Sequence, residues 1–168
     1  ISYQVLLSTS ADGVLVSLPS TRASQLVWFD RQGRRTGVAG PPGHYNTLCL
    51  TTDDTRVVYD MADPDTANID VWSLETRPGA TPARLTFDRG VDFYPVCSPD
   101  GREVLFGTLR AGPPNIFRLL LSAPGNETMA VQSPRPKIPT DWSRDGRIVY
   151  GELNQTTGWD IKVATIGG

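Results

Sequence analysis

A short polar turn followed at once by an apolar strand recurs along this chain. Its clearest form is Ser98-Pro99-Asp100-Gly101-Arg102 ahead of Val104-Leu105-Phe106, and it returns as Ser143-Arg144-Asp145-Gly146-Arg147 ahead of Ile148-Val149-Tyr150. A weaker copy, Thr51-Thr52-Asp53-Asp54-Thr55-Arg56, precedes Val57-Val58-Tyr59, and Ser10-Ala11-Asp12-Gly13 precedes Val14-Leu15-Val16. The turn has a physical basis. Asp offers a side-chain oxygen to nearby backbone N–H groups, and the Gly after it enters φ > 0 without a Cβ penalty. Pro99 presets φ for a type I turn. Asp54 stands where the other copies have Gly; Asp is among the few residues that tolerate this position, so some strain is expected there.

The anchors at Ser10, Thr51, Ser98 and Ser143 are 41, 47 and 45 residues apart. A period in the forties, with a turn and a short apolar strand in each unit, predicts β-propeller blades of about four strands each. The expected fold is all-β, a partial β-propeller of about four antiparallel blades over approximately 1–40, 44–88, 91–132 and 137–168. Within each blade a first strand precedes the turn: Tyr3–Ser8, Thr47–Leu50, Tyr94–Cys97 and Thr140–Trp142. A second follows it: Val14–Leu18, Arg56–Asp60, Glu103–Thr108 and Arg147–Gly151. Third strands fall at Gln25–Asp30, Ile69–Leu74, Asn115–Leu121 and Asp160–Ala164, and fourth strands at Thr36–Ala39, Ala83–Phe87 and Thr128–Val131. The last unit has no room for a fourth. The second strands are apolar throughout rather than alternating, as expected where both faces of a sheet are covered. Clusters such as Gly40-Pro41-Pro42-Gly43, Asp63-Pro64-Asp65 and Ala111-Gly112-Pro113-Pro114 break helix and sheet alike and read as connecting loops.

With Arg84-Leu85-Thr86 closing one unit, the Ser-Pro-Asp-Gly-Arg repeat resembles the WD40-like or TolB-type propeller repeat family. The run from Gly43-His44-Tyr45-Asn46 through Asp160 is similar to the C-terminal propellers of bacterial transmembrane serine/threonine kinases. The resemblance implies an extracytoplasmic or periplasmic module that binds or senses a protein in a bacterium. It supplies no ligand.

Propellers commonly have about 4–8 blades. Units that end without a fourth strand are therefore expected to belong to a longer ring, whose missing blades would cover Val14, Val16, Ile148 and Val149. With 16 basic and 18 acidic residues and a net charge of −2, the chain lacks the concentrated basic surface that nucleic acid or anionic membrane selects. No apolar run approaches the ~20 residues that span a bilayer as a helix.

Aligned on the turns, Cys49 corresponds to Val96, one position before Cys97. Strand side chains alternate, so the two cysteines are expected to point oppositely and remain free, buried thiols. His44, the only histidine, lacks a Gly-x-Ser-x-Gly nucleophile to serve and reads as a loop residue. Asp60, Asp63, Asp65, Asn68 and Asp70 crowd one hairpin; without the spacing of a calcium loop they read as a solvated, turn-forming segment. One His and two Cys do not assemble a zinc site. Asn126-Glu127-Thr128 and Asn154-Gln155-Thr156 match the glycosylation acceptor, which has meaning only in a eukaryotic secreted protein. Trp28, Trp72, Trp142 and Trp159 fall in or beside strands and are expected to pack between blades.

These residues predict no catalytic constellation, no cofactor and no metal. The expected function is a non-enzymatic protein-recognition, sensing or scaffold module with a protein or peptide partner, docked through loops at one end of the ring. The alternative is the substrate-gating propeller of a prolyl-oligopeptidase-type serine hydrolase, whose chemistry would reside in another domain.

Overall fold

A computed structural model describes residues 6–9, 14–17 and 23–166. The described residues form strands and turns with no helix. The first sheet comprises β1 (Leu6–Thr9), β2 (Val14–Ser17), β3 (Val27–Phe29) and β4 (Arg35–Val38), and the second β5 (Tyr45–Leu50), β6 (Arg56–Ala62), β7 (Ile69–Glu75) and β8 (Ala83–Arg84). The third comprises β9 (Asp92–Cys97), β10 (Glu103–Thr108), β11 (Asn115–Leu120) and β12 (Thr128–Val131). The fourth has β13 (Lys137–Trp142), β14 (Arg147–Asn154) and β15 (Gly158–Thr165). Each sheet is an antiparallel meander in chain order. First strands of successive sheets pack against one another, β1 on β5, β5 on β9 and β9 on β13, so the four sheets are stacked blades converging on their first strands.

The repeated turn does what its sequence requires. Gly101 and Gly146 have φ of 71° and 78°, and Asp54 takes the same left-handed conformation at 57°. In the third blade Asp100 Oδ1 accepts from Ser98 Oγ at 2.6 Å and from the Arg102 amide at 3.1 Å. Asp53 Oδ1 does the same in the second blade, from Thr51 Oγ1 at 2.6 Å and the Thr55 amide at 3.1 Å. β8 is shorter than expected because the Val71 amide donates to the Thr86 hydroxyl instead of a strand carbonyl, which ends the regular ladder.

The core lies in the seams between blades. Val57, Tyr59, Met61 and Leu74 pack on Leu26 of the first blade. Val104, Phe106 and Leu119 pack on Val58 and Val71 of the second. Ile148 and Tyr150 pack on Leu105 and Ile116 of the third. Tyr59, Phe106 and Tyr150 are thus buried at equivalent places, each on the face turned toward the preceding blade.

Three expectations are corrected. Cys49 and Cys97 form a disulfide, with Cα atoms 5.8 Å apart, that ties the second blade to the third. Side chains do alternate along both strands. Opposite faces of successive sheets are the ones that meet across a seam, so two cysteines offset by one position in their repeats point at each other. Second, Ile148 is fully buried against the third blade, whereas its neighbour Val149 shares the outer face with Val163 and Ile161. Third, Trp159 is 52% exposed on that outer face, although Trp28, Trp72 and Trp142 pack in seams. The side chains of Val14 and Val16 lie outside the described residues.

Candidate functional site

One end of the blades bears the loops between second and third strands together with the connectors from one blade to the next. Two cavities open there on either side of the second blade.

The larger, of about 630 Å³, lies at the seam of the first and second blades and is walled by Pro41, Pro42, His44, Met61, Trp72 and Pro82. Its rim is stiff for local reasons. Prolines fix φ along the connector. Tyr45 Oη donates to the Pro41 carbonyl at 2.6 Å, and Ser24 and Gly43 exchange backbone hydrogen bonds of 2.7 and 2.9 Å. The opposite lip is the loop after β6, where Asp63 Oδ1 accepts the amides of Asp65 and Thr66 at 3.0 and 2.8 Å. These bonds hold the Asp63 carboxyl below the usual carboxylate range. His44 stands exposed at the mouth, on the same cavity as the Asp63 lip.

The smaller cavity, of about 350 Å³, lies between the first strands of the second and third blades and is lined by Asn46, Thr47, Asp60, Ile69, Phe93 and Tyr94 among others. Two β-bulges make it. In β5 the register slips between Tyr45 and Leu48, so Asn46 and Thr47 both oppose Asp60. A bulge re-aims side chains in this way. The Thr47 amide donates to Asp60 Oδ1 at 2.7 Å and the Thr47 hydroxyl donates to the same oxygen. In β9 the register slips between Phe93 and Val96, Pro95 offers no amide to the ladder, and Tyr94 has φ of 55°. A bulky residue at positive φ is strained, and such strain concentrates at ligand clamps. The Phe93 ring lies where a Cβ on Gly107 would be, at 2.8 Å, so only glycine at 107 admits it. Tyr94, edge-on to Phe93 at 5.2 Å, is 37% exposed.

The acidic cluster, expected to be solvated throughout, is corrected here: Asp60 and Asp70 are buried, and the acids are split between these surroundings. Asp63 and Asp70 both turn to Arg84, at 3.6 and 2.7 Å, and Asn68 donates to Asp70. Asp65 is exposed, and Asp60 faces the smaller cavity. No group of three or more His, Cys, Asp or Glu among the described residues is placed to hold a metal ion. Burial pushes the Asp60 carboxyl up to about 6, against the opposing pull of the Thr47 bonds. An acid raised in this way binds more protons folded than unfolded between its ordinary value of 3.8 and about 6. Its ionisation therefore lowers stability as pH rises through that window, and the full cost is present above pH 6. In the sequence Thr47 and Tyr94 stand as the first residues of regular strands, and only Pro95 signals a break, in the second of them.

No protein-family model matches the sequence, and no curated protein matches it. Solved structures do. TolB from Acinetobacter baumannii superposes with a TM-score of 0.81 at 16% identity, covering 96% of this chain and 40% of TolB. The β-propeller domain of the Trilobed protease from Pyrococcus furiosus gives 0.68 at 13%, over 99% of this chain and 56% of that one. A structure from an analysis of two prolyl endopeptidases gives 0.67 at 13%, over 99% and 30%. The chain is a partial β-propeller. It spans 40% and 56% of the first two solved chains, and at these identities the likeness shows the fold alone.

Proposed function

We propose that this arc is a non-enzymatic recognition module that docks a protein or peptide on the rim bearing the two cavities. The observation that carries the reading is the larger cavity: an apolar, proline-walled concavity beside exposed His44, on loops held rigid by side-chain bonds. Ligand sites are concave, mostly apolar and largely preformed, and binding loops on a rigid framework are how such scaffolds act. An extracytoplasmic location has support in the Cys49–Cys97 bridge, because disulfides persist in oxidising compartments and are rare in the cytosol. We further propose that it is the sensing arm of a larger protein, as the expected resemblance of Gly43 through Asp160 to kinase-linked propellers would imply.

Panning a random peptide display library against the immobilised chain tests the reading. Enriched peptides are expected to lose binding to Pro42→Arg and His44→Glu, two exposed positions on the cavity mouth. Peptides that bind both variants as well as the wild type, or no enrichment over an unrelated propeller, would overturn it.

A further inference from the structure

Four carboxylates are buried among the described residues: Asp60, Asp70, Asp92 and Glu152. Three have a cation within ion-pair distance. Arg84 Nη2 is 2.7 Å from Asp70, Arg110 Nη2 is 3.0 Å from Asp92, and Lys162 Nζ is 2.7 Å from Glu152. Asp60 is 1% exposed, and no lysine, arginine or histidine among the described residues forms an ion pair with it. A buried anion without a counter-charge is expensive, and this one lines an open cavity instead of a closed core.

We propose that the cavity over Asp60 receives a cationic side chain, the ammonium of lysine or the guanidinium of arginine, from the peptide or protein docked at the rim. The inference rests on the recognition reading above and names the chemistry it selects. Three features converge. The Asp60 carboxylate supplies the counter-charge, with Oδ1 held by Thr47 so that the group keeps one orientation. Tyr94 lines the same cavity and is 37% exposed, so its ring offers a π-face to the same cation. Ile69 and Phe93 supply apolar wall for the methylene stem of a long basic side chain. A divalent metal fits poorly, since calcium takes 6–8 oxygen ligands and the cavity offers one carboxylate, a threonine and an asparagine.

The test titrates the ¹⁵N-labelled full chain by NMR with N-acetyl-arginine amide and N-acetyl-lysine amide, with N-acetyl-citrulline amide as the uncharged isostere. Shifts at the Thr47, Asp60 and Tyr94 amides with both cationic probes and not with citrulline are expected. Asp60→Asn, which keeps the Thr47 bonds, should weaken the probes at least about tenfold, the scale of a 1.4 kcal/mol loss. It should also leave the free chain at least as heat-stable as the wild type, because the unpaired charge is gone. Tyr94→Gly, which removes the ring and relieves the positive φ, gives a second route to weakened binding should Asp60→Asn misfold. Three results would overturn the proposal: no shifts at millimolar probe, equal binding by both variants, or calcium displacing the probes at micromolar concentration. Peptides that depend on Pro42 and His44 but contain no basic residue would sink this inference while leaving the recognition reading intact. Loss of both would sink the rim altogether.

Discussion

Alternate residues of β14 and β15 face the third blade and the outside. On the inner face Ile148 is fully buried. On the outer face Ile161 and Val163 are 73% and 59% exposed, and Trp159 lies beside them. The second and third blades show what an outer face looks like when covered. Val71 and Ile116 pair with Asp60 and Gly107 as Ile161 pairs with Gly151, and both are fully buried. The same position therefore runs from 0% to 73% exposed with no change in residue class. Burial in this architecture is a property of the neighbouring blade and not of the strand. The seam and the open face should accordingly respond to mutation on different scales.

The largest effect is expected in the seam. Phe106→Ala should cost about 3–5 kcal/mol of unfolding free energy, since it empties a fully buried ring site between the second and third blades. Urea denaturation measures it; a loss below about 1 kcal/mol would mean that the seam is not close-packed. Reduction of Cys49–Cys97, or Cys49→Ala with Cys97→Ala, should cost about 2–4 kcal/mol by releasing a long loop in the unfolded chain. Mass spectrometry of the purified protein, with and without reductant, first establishes that the bridge is present. Gly101→Val should cost more than about 1 kcal/mol, because a β-branched residue fits the left-handed region badly. An unchanged urea midpoint would break the account of the repeated turn.

The smallest change in stability is expected on the open face. Ile161→Lys with Val163→Lys should each alter unfolding by no more than about 0.5 kcal/mol, as surface substitutions do. Their effect should fall on association instead. The exposed strip is of the kind that drives sheets together, so the wild-type chain is expected to self-associate as concentration rises and the double variant to stay monomeric. Sedimentation velocity distinguishes the two. A wild-type chain that remains monomeric at high concentration would remove the contrast between the faces.

The repeat was legible because its determinants are local. Asp and Gly at fixed offsets fix a turn within a few residues, and an apolar run behind them fixes a strand, which is why the Glu103–Thr108 and Thr128–Val131 strands fall where the pattern places them. The burial of Tyr59, Phe106 and Tyr150 was readable for the same reason. The candidate site was not. The acids of its loop could be seen, but the bulge that turns Thr47 onto Asp60 leaves no mark in composition or periodicity, and the one at Tyr94 leaves only Pro95, which marks a break in the ladder without fixing where the side chains turn.

What the sequence by itself determined is therefore the blade: its turns, its strands and the alternation of side chains along each. What only the tertiary structure decided is how blades face one another. Alternation tells which residues share a face, yet the choice of face that meets the next sheet belongs to the stacking. That choice joined Cys49 to Cys97, buried Ile148, exposed Trp159 and left Asp60 as the one buried acid without a cation among the described residues. The physical reason is that local rules act through bonds a few residues long, whereas facing is settled by contacts between repeats some forty residues apart.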